Sequence, residues 1–389
     1  MARTVRATVE LFYMRAWAFA VGLGGCGFSS SAPPGSPPID APAGVGDIDA
    51  EVIHICLGTF VNVCVDAPQS SQSLMTQTID TSDMSPSTKC LPYAATPAVD
   101  ACVIAGQSIT VPSGNKVSVT GARRLILLAT ESLTISGTLD ASSHHGGLSG
   151  PAADTGPCPT NVTNPTVSGQ GGGGWGGTFG GPGNNGGNTP GGGMGGGAGS
   201  LLTITTLGGG CSGGNGAGSN GGSGGHGGGA VLLLAGQAIT IDGTVNASGA
   251  GGSGGKATIG DGGGGGGGGA GGMLVLEATT VNIPGHCFAN GGGGGEGSSI
   301  LNGNSGGESG APAEAGSGGS NGSPIGGDGG NGGVGTTGSS PGRNGDSIVT
   351  PIVDSGGGGA GGGGGGIIKI ISGEQRNTRD SKKVAPPPT

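Results

Sequence analysis

Three observations in this sequence predict an all-β fold, a stacked short-strand repeat of parallel β-helix or β-sandwich type with glycine-rich extended or polyglycine insertions. Glycine fills 103 of 389 positions and is crowded between residues 146 and 366. Each one costs a helix interior about 1 kcal/mol relative to alanine, so helices do not survive that density. Alternating apolar pairs, Ile109/Val111, Val117/Val119, Leu125/Leu127 and Leu133/Ile135, recur every eight residues. A longer module, Leu125 to Ser142, returns at Val231 to Ser248 and more loosely at Met273 to Asn290, with a fourth start at Ile367 to Ile370.

The elements divide the chain at 1–26, 27–48, 49–105, 106–373 and 374–389. Residues 1–26 carry three arginines, the apolar stretch Ala16 to Val21, and Leu23-Gly24-Gly25-Cys26. This segment reads as a lipoprotein signal, in which the Cys26 thiol takes the lipid after cleavage before it. Met14 is an alternative start, and no run of about 20 apolar residues exists to span a bilayer as a helix. Residues 27–48, rich in serine and proline, form a tether. Residues 49–105 form a small cysteine-containing region.

Seven cysteines follow Cys26. Export to an oxidising compartment lets six of them pair. Cys56 and Cys64 sit in alternating strand-like segments that suggest a hairpin, Cys90 and Cys102 bracket a short loop, and Cys158 and Cys211 bracket the first glycine-rich insertion. Loop closure favours those three pairs out of 15 possible connectivities. Cys287 is left over, at the position where the related module has Val245.

From Ser108, turn residues such as Pro112 to Asn115 and Thr120-Gly121 separate the strand pairs, which either fold back or wind onward. Single copies are too short to bury their own faces, and stacked copies complete the core. Ile239, Ile241 and Val245 therefore point inward together, as do Val281, Ile283 and Cys287. Glycine tracts of variable length leave from one end of each module. They either pack backbone against backbone or stay as loops. Collagen is excluded because runs such as Gly262 to Gly269 break its period of three. Residues 374–389, with Arg376, Arg379, Lys382 and Lys383, read as a solvated polar tail.

The combination of Leu23-Gly24-Gly25-Cys26, Cys102 to Gly106, Thr138 to Ser143, the Cys158 and Cys211 flanks, and Gly356 to Gly366 with Ile367 to Ile370 resembles the glycine-rich, PE-PGRS-like lipoproteins of myxobacteria. That resemblance implies location and architecture and says almost nothing of a ligand. Gly27, where inner-membrane lipoproteins carry aspartate, implies sorting to the outer membrane, on its periplasmic or cell-surface face.

Motifs for chemistry fail a second criterion. Gly251 to Gly255 matches the G-x-S-x-G elbow but lacks its strand and helix, and the pattern repeats at Gly221 to Gly225. Gly254-Gly255-Lys256-Ala257 lacks the hydroxyl that a phosphate loop needs. Calcium repeats need aspartate where His226 and Lys256 stand, with Asp261 and Asp328 isolated. The cysteine spacing does not suit zinc. His144-His145 reads as a solvated pair. Glu131, Asp140, Asp242 and Glu277 form no acidic column of the kind a glycan-cleaving β-helix requires. Trp175 and Phe179 are a packing anchor or an exposed contact. Thr134, Thr240 and Asn282 make only a broken threonine ladder for binding an ordered solid.

The net charge of −9 disfavours nucleic acid. The expectation is a non-enzyme without metal or cofactor, anchored to membrane through Cys26. Its role is structural, adhesive or matrix contact, with extracellular polysaccharide or a neighbouring surface protein as partner. The alternatives are a polysaccharide-active enzyme and a flat solid- or glycan-binding surface.

Overall fold

The computed structural model describes residues 54–83, 85, 89–258, 261–334, 338–343, 345–349, 353–378 and 380–389. Cys26, Met14, the tether and Arg379 lie outside them. No helix occurs among the described residues, and the core consists of stacked parallel strands in three sheets. One pass of the chain runs through Arg124–Ala129 in the first sheet, Ser132–Ile135 in the second and Thr138–Asp140 in the third. The next pass repeats that order through Ala230–Ala235, Ala238–Ile241 and Thr244–Asn246, and the one after through Met273–Glu277, Thr280–Asn282 and His286–Phe288. Every step between passes is parallel and in register, for example Leu133↔Ile239 and Leu139↔Val245. The chain winds onward at each corner, and the strands do not fold back as sandwich hairpins.

Alternation explains the second and third sheets. Leu133 and Ile135, Ile239 and Ile241, and Val281 and Ile283 are fully buried in one cluster, with Val245 and Cys287 from the third sheet. Between them, Thr134, Thr240 and Asn282 face outward, partly exposed. The first sheet reads differently. Its strands carry unbroken apolar runs, Leu125 to Leu128 and Val231 to Leu234, because both faces are covered. Leu125, Leu127, Val231 and Leu233 line the interior, while Ile126, Leu128, Leu232 and Leu234 pack outward against Val61, Val63, Phe179 and Leu207. Each such leucine contributes about 1.5–3 kcal/mol by leaving water.

Part of that cover is an antiparallel unit, His54–Leu57, Asn62–Asp66 and Ala94–Thr96, stapled by Cys56–Cys64. Glu277, 8 % exposed, holds its turn. The carboxylate accepts from the Thr59 amide at 2.5 Å, the Thr59 hydroxyl at 2.6 Å and the Phe60 amide at 3.2 Å. The other bridges are Cys90–Cys102 and Cys158–Cys211, and Cys287 is free and buried, its thiol pushed up to about 12 by desolvation.

The winding extends beyond the 106–373 limits marked by the repeat. It begins at Gln72–Ser73 and Gln77–Asp80, which pair with Ile109–Val111 and Lys116–Thr120, and Ala101–Gly106 already belongs to the first sheet. At the other end, Glu374–Arg376 and Val384–Ala385 complete the last pass. Residues 374–389 are therefore a cap, not a free tail. Thr389 N donates to Ile368 O, and Arg376 pairs with Glu374 at 2.6 Å. Charge and proline at the last rung blunt an edge that would otherwise template another strand.

The insertions 141–229, 247–272 and 289–366 all leave the third sheet and return to the first. Their backbone bonds follow a period of three. Gly264, Gly267 and Ala270 donate to Ala217, Gly214 and Cys211; Gly265, Gly268 and Gly271 donate to Gly358, Gly361 and Gly364. Gly266, Gly269 and Gly272 donate to Ser253, Ala250 and Ala247. In the reverse sense, carbonyls of the same segment accept from 222–228, from Gly174 and Gly177, and from 292–298.

Candidate functional site

The densest cluster of ionisable groups lies where the third sheet hands over to the first insertion. Asp140 ends its strand with its side chain 6 % exposed, directly across from Ser118 and Asn246. Lys116, one strand below, places Nζ 2.7 Å from Asp140 Oδ2. Ser142 donates its hydroxyl to Oδ1 at 2.5 Å, and the His144 Nε2 lies 3.3 Å from Oδ2. The other ring nitrogen, Nδ1, meets Glu308 Oε2 at 2.8 Å. Glu308 also accepts the His145 amide, and the His145 ring bridges Gly251 O and Ser305 Oγ, both at 3.2 Å.

Burial alone would raise the Asp140 pKa, but bonds from His144, Lys116 and Ser142 outweigh it and hold the carboxyl well below the usual range. The bond to Asp140, with Glu308 next, pushes His144 up to about 10 against the opposing desolvation. Glu308 is lowered, since His144 and the His145 amide overcome its burial. His144 is thus an imidazolium clamped between two carboxylates from segments 164 residues apart. Both histidines stay exposed, and in His144 both ring nitrogens are in addition occupied by carboxylates.

The contact order Ser142, His144, Glu308 looks like a nucleophile, base and orienting acid. It lacks the chemistry. A general base needs a free ring nitrogen to take the serine proton, whereas Nε2 here donates to Asp140. The serine hydrogen is committed to Asp140 as well, and Ser142 is buried. Electrostatically the cluster is a clasp joining the sheet to the third insertion.

A second carboxylate, Glu296, is fully buried within that insertion. Oε2 accepts the amides of Asn304 and Gly322 at 2.9 and 2.8 Å, and Oε1 that of Ser323 at 2.9 Å. Backbone donors hold this anion in place of a cation.

The remaining sequence candidates scatter. Asp242 is exposed, Glu131 is exposed at a corner, Asp328 pairs with Arg343 at 3.1 Å, and His226 pairs with Asp154 at 2.6 Å. Phe179 is buried with the outer cluster, and the Trp175 ring lies against Gly196 and Gly214, so both anchor packing. Among the described residues no group of three or more His, Cys, Asp or Glu is arranged for a metal ion. Neither Glu308 nor Glu296 stands out locally in the sequence, because nothing near either one foretells its partner. Comparison with protein-family models, curated proteins and solved structures finds no match for this chain.

Proposed function

We propose that this protein is a non-catalytic surface scaffold, anchored in the outer membrane through acylated Cys26, in which the glycine tracts form a rigid body carried on the wound strands. The carrying observation is the period-three bonding around residues 263–272, which engages six neighbouring segments through alternate donors and acceptors. An extended left-handed helix with three residues per turn and no internal bonds has this property, since its amides and carbonyls point outward in three directions. In this reading residues 263–272, 291–298 and 356–366 are interior members of a hexagonally packed polyglycine bundle. Each of the three exchanges bonds with several segments on all sides.

Sequence supports the same account. Tracts at the bundle surface carry a polar residue at every third position, as in Asn220, Ser223, His226 and Asn302, Ser305, Glu308, all of them exposed apart from partly buried Asn220. Interior tracts are almost pure glycine. The role that follows is mechanical: a stiff body held off the lipid by a tether, offering contact to matrix polysaccharide or a neighbouring surface protein. Among the described residues, the Ser142 cluster is left without a base because His144 is protonated.

Residue-resolved hydrogen exchange tests the rigid body. Amides of Gly264 to Gly271 are expected to be protected about as strongly as Ile239 and Ile241. Exchange at the free-chain rate there would sink the reading. The anchor is tested apart from it: Cys26→Ser should lose lipid labelling and leave the outer-membrane fraction, and retention there without lipid counts against acylation.

A further inference from the structure

The outer face of the second sheet is built from small uncharged side chains in register. Ser73, Thr110, Thr134, Thr240 and Asn282 stack on five successive parallel strands. Beside them run Ser132, Ala238 and Thr280, with the Ser108 hydroxyl 3.2 Å from that of Ser132. The repeat aligns only Thr134, Thr240 and Asn282. Ser73 and Thr110 precede the module and join the ladder because the chain winds. Neighbouring strands lie about 4.8 Å apart, so the five rungs cover about 19 Å.

The threonines of the array are preset and unspent, whereas Asn282 already accepts from Asn377 at 2.9 Å. Threonine is stiff at χ1, which fixes each hydroxyl relative to the sheet. Among the described residues, no hydrogen bond engages the hydroxyls of Thr110, Thr134, Thr240 or Thr280. The four residues are partly exposed while Leu133, Ile135, Ile239 and Ile241 between them are buried. Within the two columns charge enters at the last strand, where Glu374 and Arg376 pair, while Glu131, 3.4 Å from the Ser108 hydroxyl, and Asp242 stand exposed at the corners on either side.

We propose that this face binds the surface of ice. A hydroxyl both donates and accepts, as each water molecule of an ice lattice does. Two parallel columns make a repeat in two dimensions, which suits a crystal face; a single polymer chain repeats along one direction only. The columns before the last strand are uncharged, and they meet a neutral solid without stripping water from a charge. Sugar rings would ask for aromatic platforms, and these columns contain none. The inference does not rest on the anchor or on the state of the glycine tracts.

The test is slow growth of ice from a solution of the purified full-length protein, together with inspection of a single ice crystal just below its melting point. Severalfold enrichment in the ice over an inert control protein, and faceting of the crystal, are expected. Thr134→Lys combined with Thr240→Lys should reduce both to the control level with unchanged circular dichroism, and Thr244→Lys on the third sheet should not. If the lysines disturb the fold, Thr134→Val with Thr240→Val keeps the branched shape, removes the hydroxyls and should weaken enrichment severalfold. Exclusion of the folded wild type from ice overturns the proposal, as does full activity of the valine pair. Retention on crystalline cellulose or chitin without ice binding overturns it in favour of a glycan.

Discussion

In the wound strands, Ile104, Leu127, Leu233, Leu276 and Ile370 stack in register through five passes and are all buried. In residues 262–269 there is no side chain to stack, yet Gly262 to Gly269 are buried throughout. Both regions leave almost no backbone group unpaired, but they fill space differently. The first buries methyl and methylene groups around a core. The second brings backbones so close that a Cβ on Gly267 would overlap the Trp175 carbonyl oxygen. Opposite rules of substitution follow: the strands tolerate no loss of volume, and the tracts tolerate no gain.

That contrast can be broken by one pair of variants. Leu127→Ala leaves a cavity among its neighbours in register and is expected to cost about 2–5 kcal/mol. Gly267→Ala ordinarily would stabilise by about 0.4–1 kcal/mol through the unfolded chain. Here the new methyl group meets a carbonyl held in the lattice, Gly214 N donating to Trp175 O at 2.8 Å. Overpacking of this kind costs about 1–3 kcal/mol, so the sign should invert. Denaturant unfolding of both variants decides it. A Gly267→Ala protein as stable as the wild type would mean that the tract has room, and the close-packed comparison would fail.

The two regions also differ in how far the sequence announces them. The strand pairs at Ile109/Val111 and Leu133/Ile135 are legible because alternation is local, and the three disulfides are legible because each closes a loop at a sensible place. Unbroken runs such as Leu125 to Leu128 hide which face is inward, since the first sheet has two buried faces. The polar ends at 374–389 read as a tail because their register with Thr280–Asn282 and His286–Phe288 comes only from the winding. In the tracts, the informative period was of the residues that are not glycine: Asn302, Ser305 and Glu308 are three apart where one side of the segment meets solvent. Counting glycines conceals that spacing. The His144 clasp was illegible altogether, because Glu308 arrives from another insertion and no local pattern links the two.

The smallest expected effect sharpens the comparison where the regions join. His144 rises from 6.5 to about 10, first through Asp140 and then Glu308. A group raised on folding contributes stability that is fully present below its unfolded value and is lost as pH climbs through the folded one. For His144 that window runs from 6.5 to about 10. Asp140 runs the other way: its contribution is present above 3.8 and is lost as pH falls toward its depressed value. The His144 ring is 47 % exposed, so solvent screening leaves the gain well short of what the shift alone implies. Thermal unfolding of wild type and His144→Gln across that range is the measurement. The variant should unfold a few degrees lower at pH 6, and the two curves should converge above pH 10. A constant gap at every pH would mean that the ring holds the third insertion to the sheet by packing and not by charge.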